Sequence, residues 1–378
     1  MKLIIGADMV PTKSNEHIFA EGVASKLVGE ELSAIFKQAD YRIFNLEVPL
    51  TDVETPIAKC GPALIASTKS IAGYKALGVD CVTIANNHIM DQGAQGLDST
   101  IKTLKANGIE YVGCGGNYEE ASKAKIICLH NKKIGIYACA EHEFSIASND
   151  APGANSFEPM VSPDHISRLK ETCDFVIVLY HGGKEHYRYP SPNLQKTCRR
   201  MIDKGADLVL CQHSHCVGCE EKYGEGAIVY GQGNFLFDYQ DNEFWQTGLL
   251  VEINDDFQID YIPVCKDGNV VRLANNEESK LIISEFKQRS NEILCDGLIN
   301  DKYTCYAKSM VDNYLLSLLG VNRRSLLFRI ANRITGGRAT KWVIRYKYKP
   351  KDLLSIQNII ECEAHRELIL RGIESQRG

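Results

Sequence analysis

No stretch of the 378-residue sequence reaches the run of about 18 apolar residues that a membrane-spanning helix needs. The opening Met1-Lys2-Leu3-Ile4-Ile5-Gly6-Ala7-Asp8 is too short and turns polar too soon for a secretory leader. It reads instead as a buried strand running straight into a carboxylate. The sequence has 14 cysteines but no spacing that resembles a disulfide framework. Without an export signal these thiols are expected to stay reduced in a cytoplasmic protein. Cys216-Val217-Gly218-Cys219 has no second Cys-x-x-Cys pair at the spacing of a zinc ribbon, so packed thiols are the simpler reading. Gly113-Cys114-Gly115-Gly116-Asn117 lacks the order of a phosphate loop or a dinucleotide fingerprint and reads as a turn. Internal repeats and low-complexity tracts are absent. Acidic residues are missing altogether from 323–351, where ten Lys and Arg residues fall, although the whole chain has a net charge of −5.

What the chain does have is an alternation of short apolar runs with amphipathic segments. Strands are expected over 3–5, 41–46, 80–85, 125–129, 133–139, 175–180, 208–211, 228–230, 248–253 and 257–264. Helices are expected over 29–39, 70–77, 96–106, 164–171 and 194–204. Such alternation predicts an α/β protein with helices on the faces of its sheets. A boundary is expected near 266–279, dividing a domain over 1–265 from a mostly helical, basic extension over 266–378, with apolar segments at 281–286 and 314–319.

Asp8, Glu47, Asn87, His181, His213 and His215 each follow an apolar strand-like run. Ligands of open α/β sheets bind beyond the carboxyl ends of strands, so residues scattered through the sequence can converge there. Taken singly, each has an ordinary explanation: Asp8 as a cap, Asn86-Asn87 as a tight turn, His181 before Gly182-Gly183 as a strand-to-turn junction. Taken as one ordered set, they suit a pair of divalent ions, Mn, Fe or Zn, which imidazole and carboxylate ligands alone do not distinguish.

Gly6-Ala7-Asp8, Asn45-Leu46-Glu47, Asn86-Asn87-His88-Ile89-Met90-Asp91-Gln92-Gly93, His181-Gly182-Gly183-Lys184-Glu185, Gly205-Ala206-Asp207 through His213-Ser214-His215, and Tyr230-Gly231-Gln232-Gly233-Asn234-Phe235 occur in an order that resembles the CapA-type capsule-synthesis (poly-γ-glutamate) branch of the metallophosphoesterase superfamily. The resemblance covers about residues 1–265. It implies a metallophosphoesterase-like β-sandwich flanked by helices. It also implies roles: Asp8 and His215 on a first metal, Asn87, His181 and His213 on a second, and Glu47 bridging both. His88 would face the leaving group, with Asp91 orienting its ring, and Glu185 and Asn234 would contact substrate. Many relatives carry Asp-x-His at the first motif; here the third position is Val10, a loss common in CapA-type proteins, and His17 is the only nearby imidazole.

Three functions follow from the resemblance. One is a metal-dependent hydrolase acting on a phosphate-containing substrate or anionic polymer in capsular or extracellular polymer biosynthesis. Another is a metal-binding accessory subunit working with polymer-synthesis membrane proteins. The third is an amide hydrolase on a polyglutamate-like chain. The basic segment, with Arg329, Arg333, Arg338, Lys341, Trp342, Arg345 and Tyr346, is either a solvated helical face or a surface for anionic lipid or an anionic polymer at the inner face of the membrane. No nucleic-acid-binding motif accompanies its charge.

Overall fold

The computed structural model describes residues 1–238, 241–318 and 325–376. The chain divides into two compact units, Met1–Asn300 and Asp301–Gly378.

The first unit holds strands β1 (Leu3–Met9), β2 (Tyr41–Leu46), β3 (Cys81–Thr83), β4 (Glu110–Val112), β5 (Cys114–Gly115), β6 (Lys125–Leu129), β7 (Lys132–Ala140), β8 (Gly153–Ala154), β9 (Phe175–His181), β10 (Leu208–Gln212), β11 (Glu220–Tyr223), β12 (Gly226–Val229), β13 (Thr247–Ile253), β14 (Ile259–Asp267) and β15 (Val270–Leu273). Its helices are α1 (Glu16–Glu21), α2 (Ala24–Lys37), α3 (Ile71–Ala76), α4 (Gly93–Ala106), α5 (Tyr118–Ala121), α6 (Ser162–Lys170), α7 (Pro192–Asp203) and α8 (Asn276–Glu292). One sheet runs β15-β14-β13-β1-β2-β3-β4 and the other β11-β12-β10-β9-β7-β6. Within each, the central strands that lead into the site are parallel.

The two sheets pack face to face. Leu3, Ile5 and Ile43 from one meet Ile177, Leu179, Leu208 and Leu210 from the other. The first sheet's outer face carries Ile4, Phe44 and Val82 against Leu27 and Phe36 of α2 and Leu97 and Leu104 of α4. The second sheet's outer face carries Val176, Val178 and Val209 against Ile166 and Leu169 of α6 and Leu194 and Met201 of α7. Both faces of both sheets are therefore covered, which explains why these strands read as unbroken apolar runs. This is the α/β sandwich flanked by helices expected from the sequence.

The strand alternation decides where the polar residues point. Ile177 and Leu179 face inward, so His181 does too. Ile43 faces inward, so Asn45 and Glu47 follow. Asp8 is the exception that needs a bulge. Leu3 and Ile5 face inward while Ala7 and Met9 face outward, a switch of parity within one strand. The register against β2 slips between Ile5 and Asp8, and that extra residue turns Asp8 inward. Gly6 sits at the slip, where an added Cβ would lie 2.0 Å from Phe44 Cε1. The bulge's carbonyls are held from both sides: Gln232 Nε2 donates to Ile5 O at 3.1 Å, and Gln212 Nε2 to Gly6 O at 3.1 Å. Gly6→Ala is accordingly expected to cost about 1–3 kcal/mol of stability by overpacking. Urea unfolding of the variant, with and without Phe44→Leu, checks this, because the smaller neighbour should restore part of the loss.

Some elements differ from the sequence expectation. The helix expected over 29–39 starts earlier, at Ala24, and kinks at Gly29, whose φ of 72° is left-handed. β14 ends at Asp267, where a boundary is expected to begin, β15 lies inside that segment, and β15 and α8 still belong to the first unit.

The second unit comprises α9 (Leu298–Leu318, entered from the first unit), α10 (Leu326–Ile334), α11 (Arg338–Lys347), α12 (Pro350–Glu361) and α13 (Glu363–Gln376). Its small core is Leu315, Leu316 and Ile344, with Phe328, Val343, Tyr348 and Ile356 packed around them. Among the described residues no helix is long and apolar enough to cross a membrane. Arg323, Arg324 and Leu319, part of the segments singled out above, lie outside the described residues.

Candidate metal centre

All six expected metal ligands meet at the shared carboxyl-terminal edge of the two sheets, and all are buried. Asp8 and Glu47 come from the ends of β1 and β2, Asn87 from the turn after β3, and His181 from the end of β9. His213 and His215 follow β10 in the left-handed region, with φ of 82° and 53°. Two non-glycine residues held there flanking Ser214 mark a backbone strained to aim both rings inward.

The contacts fall into two groups. His181 Nε2 lies 3.0 Å from Asn87 Oδ1, 3.1 Å from His213 Nδ1 and 3.2 Å from Glu47 Oε1. A single proton on Nε2 cannot serve three such neighbours, whereas a cation among them can. Separations near 3.3 Å are the ligand-to-ligand edge of a tetrahedral site with bonds of about 2.0 Å. In the second group His215 Nδ1 lies 3.4 Å from Asp8 Oδ2. Glu47 belongs to both, since its carboxylate and ligand nitrogens of His213 and His215 lie within 4.8 Å of one another.

Asp8 Oδ2 and both Glu47 carboxylate oxygens are buried without a hydrogen-bond partner. Orphaned buried carboxylate oxygens are costly unless a cation takes them, so the donor set fits divalent metal. Charge around them tells the same story. Burial opposes a charged His215, yet contact with Asp8 and the charge of Glu47 outweigh it and lift the imidazole to about 9. His181 is also raised: burial opposes its charge, but Glu47 prevails. Burial and the neighbouring imidazoles drive His213 well below the usual histidine range, leaving it a neutral donor. Metal must displace the proton that His215 holds near neutral pH. Loading metal-free protein with Zn²⁺ at pH 7.5 should therefore release protons, read with an indicator dye in weak buffer, and release should fade above pH 9.

Further residues position the ligands. Asn45 Nδ2 donates to Asp8 Oδ1 at 2.8 Å, and Asn86 Nδ2 donates to Asn45 Oδ1 at 3.0 Å. Asn234, expected to touch substrate, is 2% exposed, and its Oδ1 lies 2.8 Å from His215 Nδ1, so it orients that ring; its Nδ2 is left without a partner. Glu185 is partly exposed on the loop after β9, beside His186. Val10 is buried and its N–H donates to Leu236 O, while His17 is exposed on α1, so no third imidazole reaches Asp8.

On the rim, His88 Nδ1 lies 2.6 Å from Asp91 Oδ2. A carboxylate at Nδ1 fixes the ring and leaves Nε2 for a reacting group. Asp91 also accepts from Leu64 N at 2.7 Å and pairs with Lys59 Nζ at 2.5 Å. Lys59 has a side chain only 3% exposed and reaches His88 Nδ1 at 3.3 Å. The sequence reading missed Lys59, which sits in an irregular loop with no motif to announce it. Phe237 and Trp245 wall the His215 side, with ring centroids 5.6 and 5.2 Å away.

The cysteines are free throughout the described chain. Cys216 and Cys219 are buried, and burial pushes the Cys216 thiol up to about 11, as expected of packed rather than metal-binding thiols.

Residues 2–239 match the model of a family described as bacterial capsule synthesis protein PGA_cap. A capsule biosynthesis protein CapA of Bacillus anthracis is 30% identical over 220 residues, covering 56% of this chain and 54% of that protein. A PGA biosynthesis protein CapA of Bacillus subtilis (strain 168) is 27% identical over 267 residues, covering 68% of this chain and 70% of that protein. The chain thus spans about half the length of the first of these curated relatives. Among solved structures, one described as a novel phosphatase from Mycoplasma pneumoniae aligns with 71% of this chain and 94% of its own at 16% identity and a TM-score of 0.46.

Proposed function

The chain belongs to the bacterial capsule synthesis protein PGA_cap family, and from that premise we propose that it is a metal-dependent hydrolase acting in capsular or extracellular polymer biosynthesis. The observation that carries this reading is the set of orphaned carboxylate oxygens on Asp8 and Glu47, ringed by the imidazoles of His181, His213 and His215. Asn87, His181, His213 and Glu47 would hold one cation, and Asp8, His215 and Glu47 the other. Bound there, the cations would supply Lewis-acid activation of a phosphoryl or carbonyl group and of water.

The chain's own residues supply the rest. Asp91 accepts from His88 Nδ1, so His88 Nε2 is the atom that gives a proton to the departing oxygen or nitrogen, or stabilises its charge. Lys59 pairs with Asp91, whose buried carboxylate would otherwise lack a cation. Glu185, partly exposed on the loop after β9, is the group we assign to substrate contact.

An accessory role without turnover is the second reading. It is favoured by Val10, which leaves the first cation fewer ligands than the second. The test loads the protein with Mn²⁺ or Zn²⁺ and offers phosphate esters and γ-glutamyl peptides in parallel. Metal-dependent release of phosphate or alcohol supports the phosphoesterase reading, and release of glutamate-containing fragments supports an amide hydrolase. Metal-loaded protein inert to both sets, yet co-purifying with a membrane synthase, would favour the accessory subunit.

A further inference from the structure

The second unit presents a surface that the metal centre does not use. Between Ser325 and Lys349 the chain carries Arg329, Arg333, Arg338, Lys341, Arg345, Lys347 and Lys349 and no acidic residue. The same stretch exposes large apolar side chains. On α10 Leu327 and Ile334 are each 80% exposed, with Leu326 and Ile330 also open. On α11 Trp342 and Tyr346, one turn apart, are 67% and 64% exposed and stack on each other at 5.7 Å and 9°.

This exposure is not simply a failure to pack. α10 sends Phe328, and α11 sends Val343 and Ile344, into the small core around Leu315 and Leu316. Tyr348 Oη donates to Leu315 O at 2.9 Å, and Asn332 Oδ1 accepts from Thr340 N and Oγ1, which ties the two helices together. Each helix therefore has a satisfied apolar face and a second, outward apolar set flanked only by cations.

We propose that α10 and α11 form a docking surface for an anionic lipid bilayer. Charge complementarity favours acidic headgroups, at about fivefold in affinity per Lys or Arg near the surface. The exposed Leu, Ile and Trp side chains choose between a bilayer and a dissolved polyanion. A polyanion would neutralise the arginines and leave those side chains in water, whereas the headgroup–acyl boundary buries them and suits Trp and Tyr. Since no described helix is long and apolar enough to span, the surface lies on the bilayer.

The test is flotation of the full chain with phosphatidylcholine vesicles containing or lacking phosphatidylglycerol. The expected result is flotation only with the anionic vesicles. Arg329→Gln/Arg333→Gln/Lys341→Gln should weaken it about a hundredfold. Ile330→Asp/Ile334→Asp should abolish it. Both variants should keep wild-type helix content by circular dichroism, so that loss of binding is not loss of fold. Emission from Trp342 should shift to the blue on binding and lose that shift in Trp342→Phe, because the other tryptophan, Trp245, is 6% exposed. Failure to float with anionic vesicles, or equal flotation with neutral ones, would overturn the proposal. So would binding of soluble polyglutamate or RNA that survives Ile330→Asp/Ile334→Asp, which would reassign the surface to a polyanion.

Discussion

His88→Ala should lower turnover of any accepted substrate by about a hundred- to ten-thousand-fold, the range for removing a positioned acid–base group, while leaving bound metal unchanged. The separation follows from the geometry. His88 contacts Asp91 and Lys59, not the carboxylates of Asp8 and Glu47. Its loss removes a proton donor from the rim and no metal ligand. Asp91→Asn should give a smaller loss, because its amide oxygen can still accept from Leu64 N and His88 Nδ1, although Lys59 loses its partner and the ring its anionic acceptor. Lys59→Met should lower both activity and stability, since it leaves a fully buried Asp91 without its cation. Parallel kinetics and elemental analysis of the three variants check this ordering. A His88→Ala protein with wild-type turnover would remove His88 from the reaction.

Glu47→Gln has the second large effect, and it is on binding. The substitution keeps the volume and removes the charge that both half-sites share. In wild type, saturating Mn²⁺ or Zn²⁺ stabilises by mass action, about 4 kcal/mol at a thousand times Kd, which for a chain of this size raises Tm by about five degrees. In Glu47→Gln that rise should vanish. The metal-free Tm should change little, because the variant also replaces a buried, uncompensated carboxylate charge with a neutral amide. Thermal scans with and without metal give the answer, and a full metal-induced rise in the variant would show that Glu47 does not join the two half-sites.

Much of the centre could be read before the fold, for a definite reason. Parallel strands covered on both faces announce themselves as apolar runs, and the residue that follows each run lies at the edge where ligands gather. Glu47, Asn87 and His181 are legible on that basis. The sequence puts Asp8 at the right edge, but alternation through Leu3 and Ile5 points it to the wrong face. The bulge at Gly6 corrects this, and it depends on Phe44, Gln212 and Gln232, which are distant in sequence. β11 was not read because Glu220–Tyr223 contains no apolar run. It forms by pairing with β12, and its buried Glu221 is satisfied by Arg199 and the Tyr230 hydroxyl. Lys59 was invisible because a long loop carries it to Asp91 without any local periodicity. Asn234 stands out in the sequence by its motif, which implies substrate contact, but only the fold shows its Oδ1 against His215.

The central claim is that Asp8, Glu47, Asn87, His181, His213 and His215 hold metal. The most direct measurement is metal content by elemental mass spectrometry of purified, Mn²⁺- or Zn²⁺-reconstituted protein, for wild type and for His213→Ala/His215→Ala. The arrangement predicts about two metals per chain in wild type, one for each group of ligands, and their loss in the double variant with the fold retained. Metal-free wild type after reconstitution, or equal metal in both proteins, would contradict it.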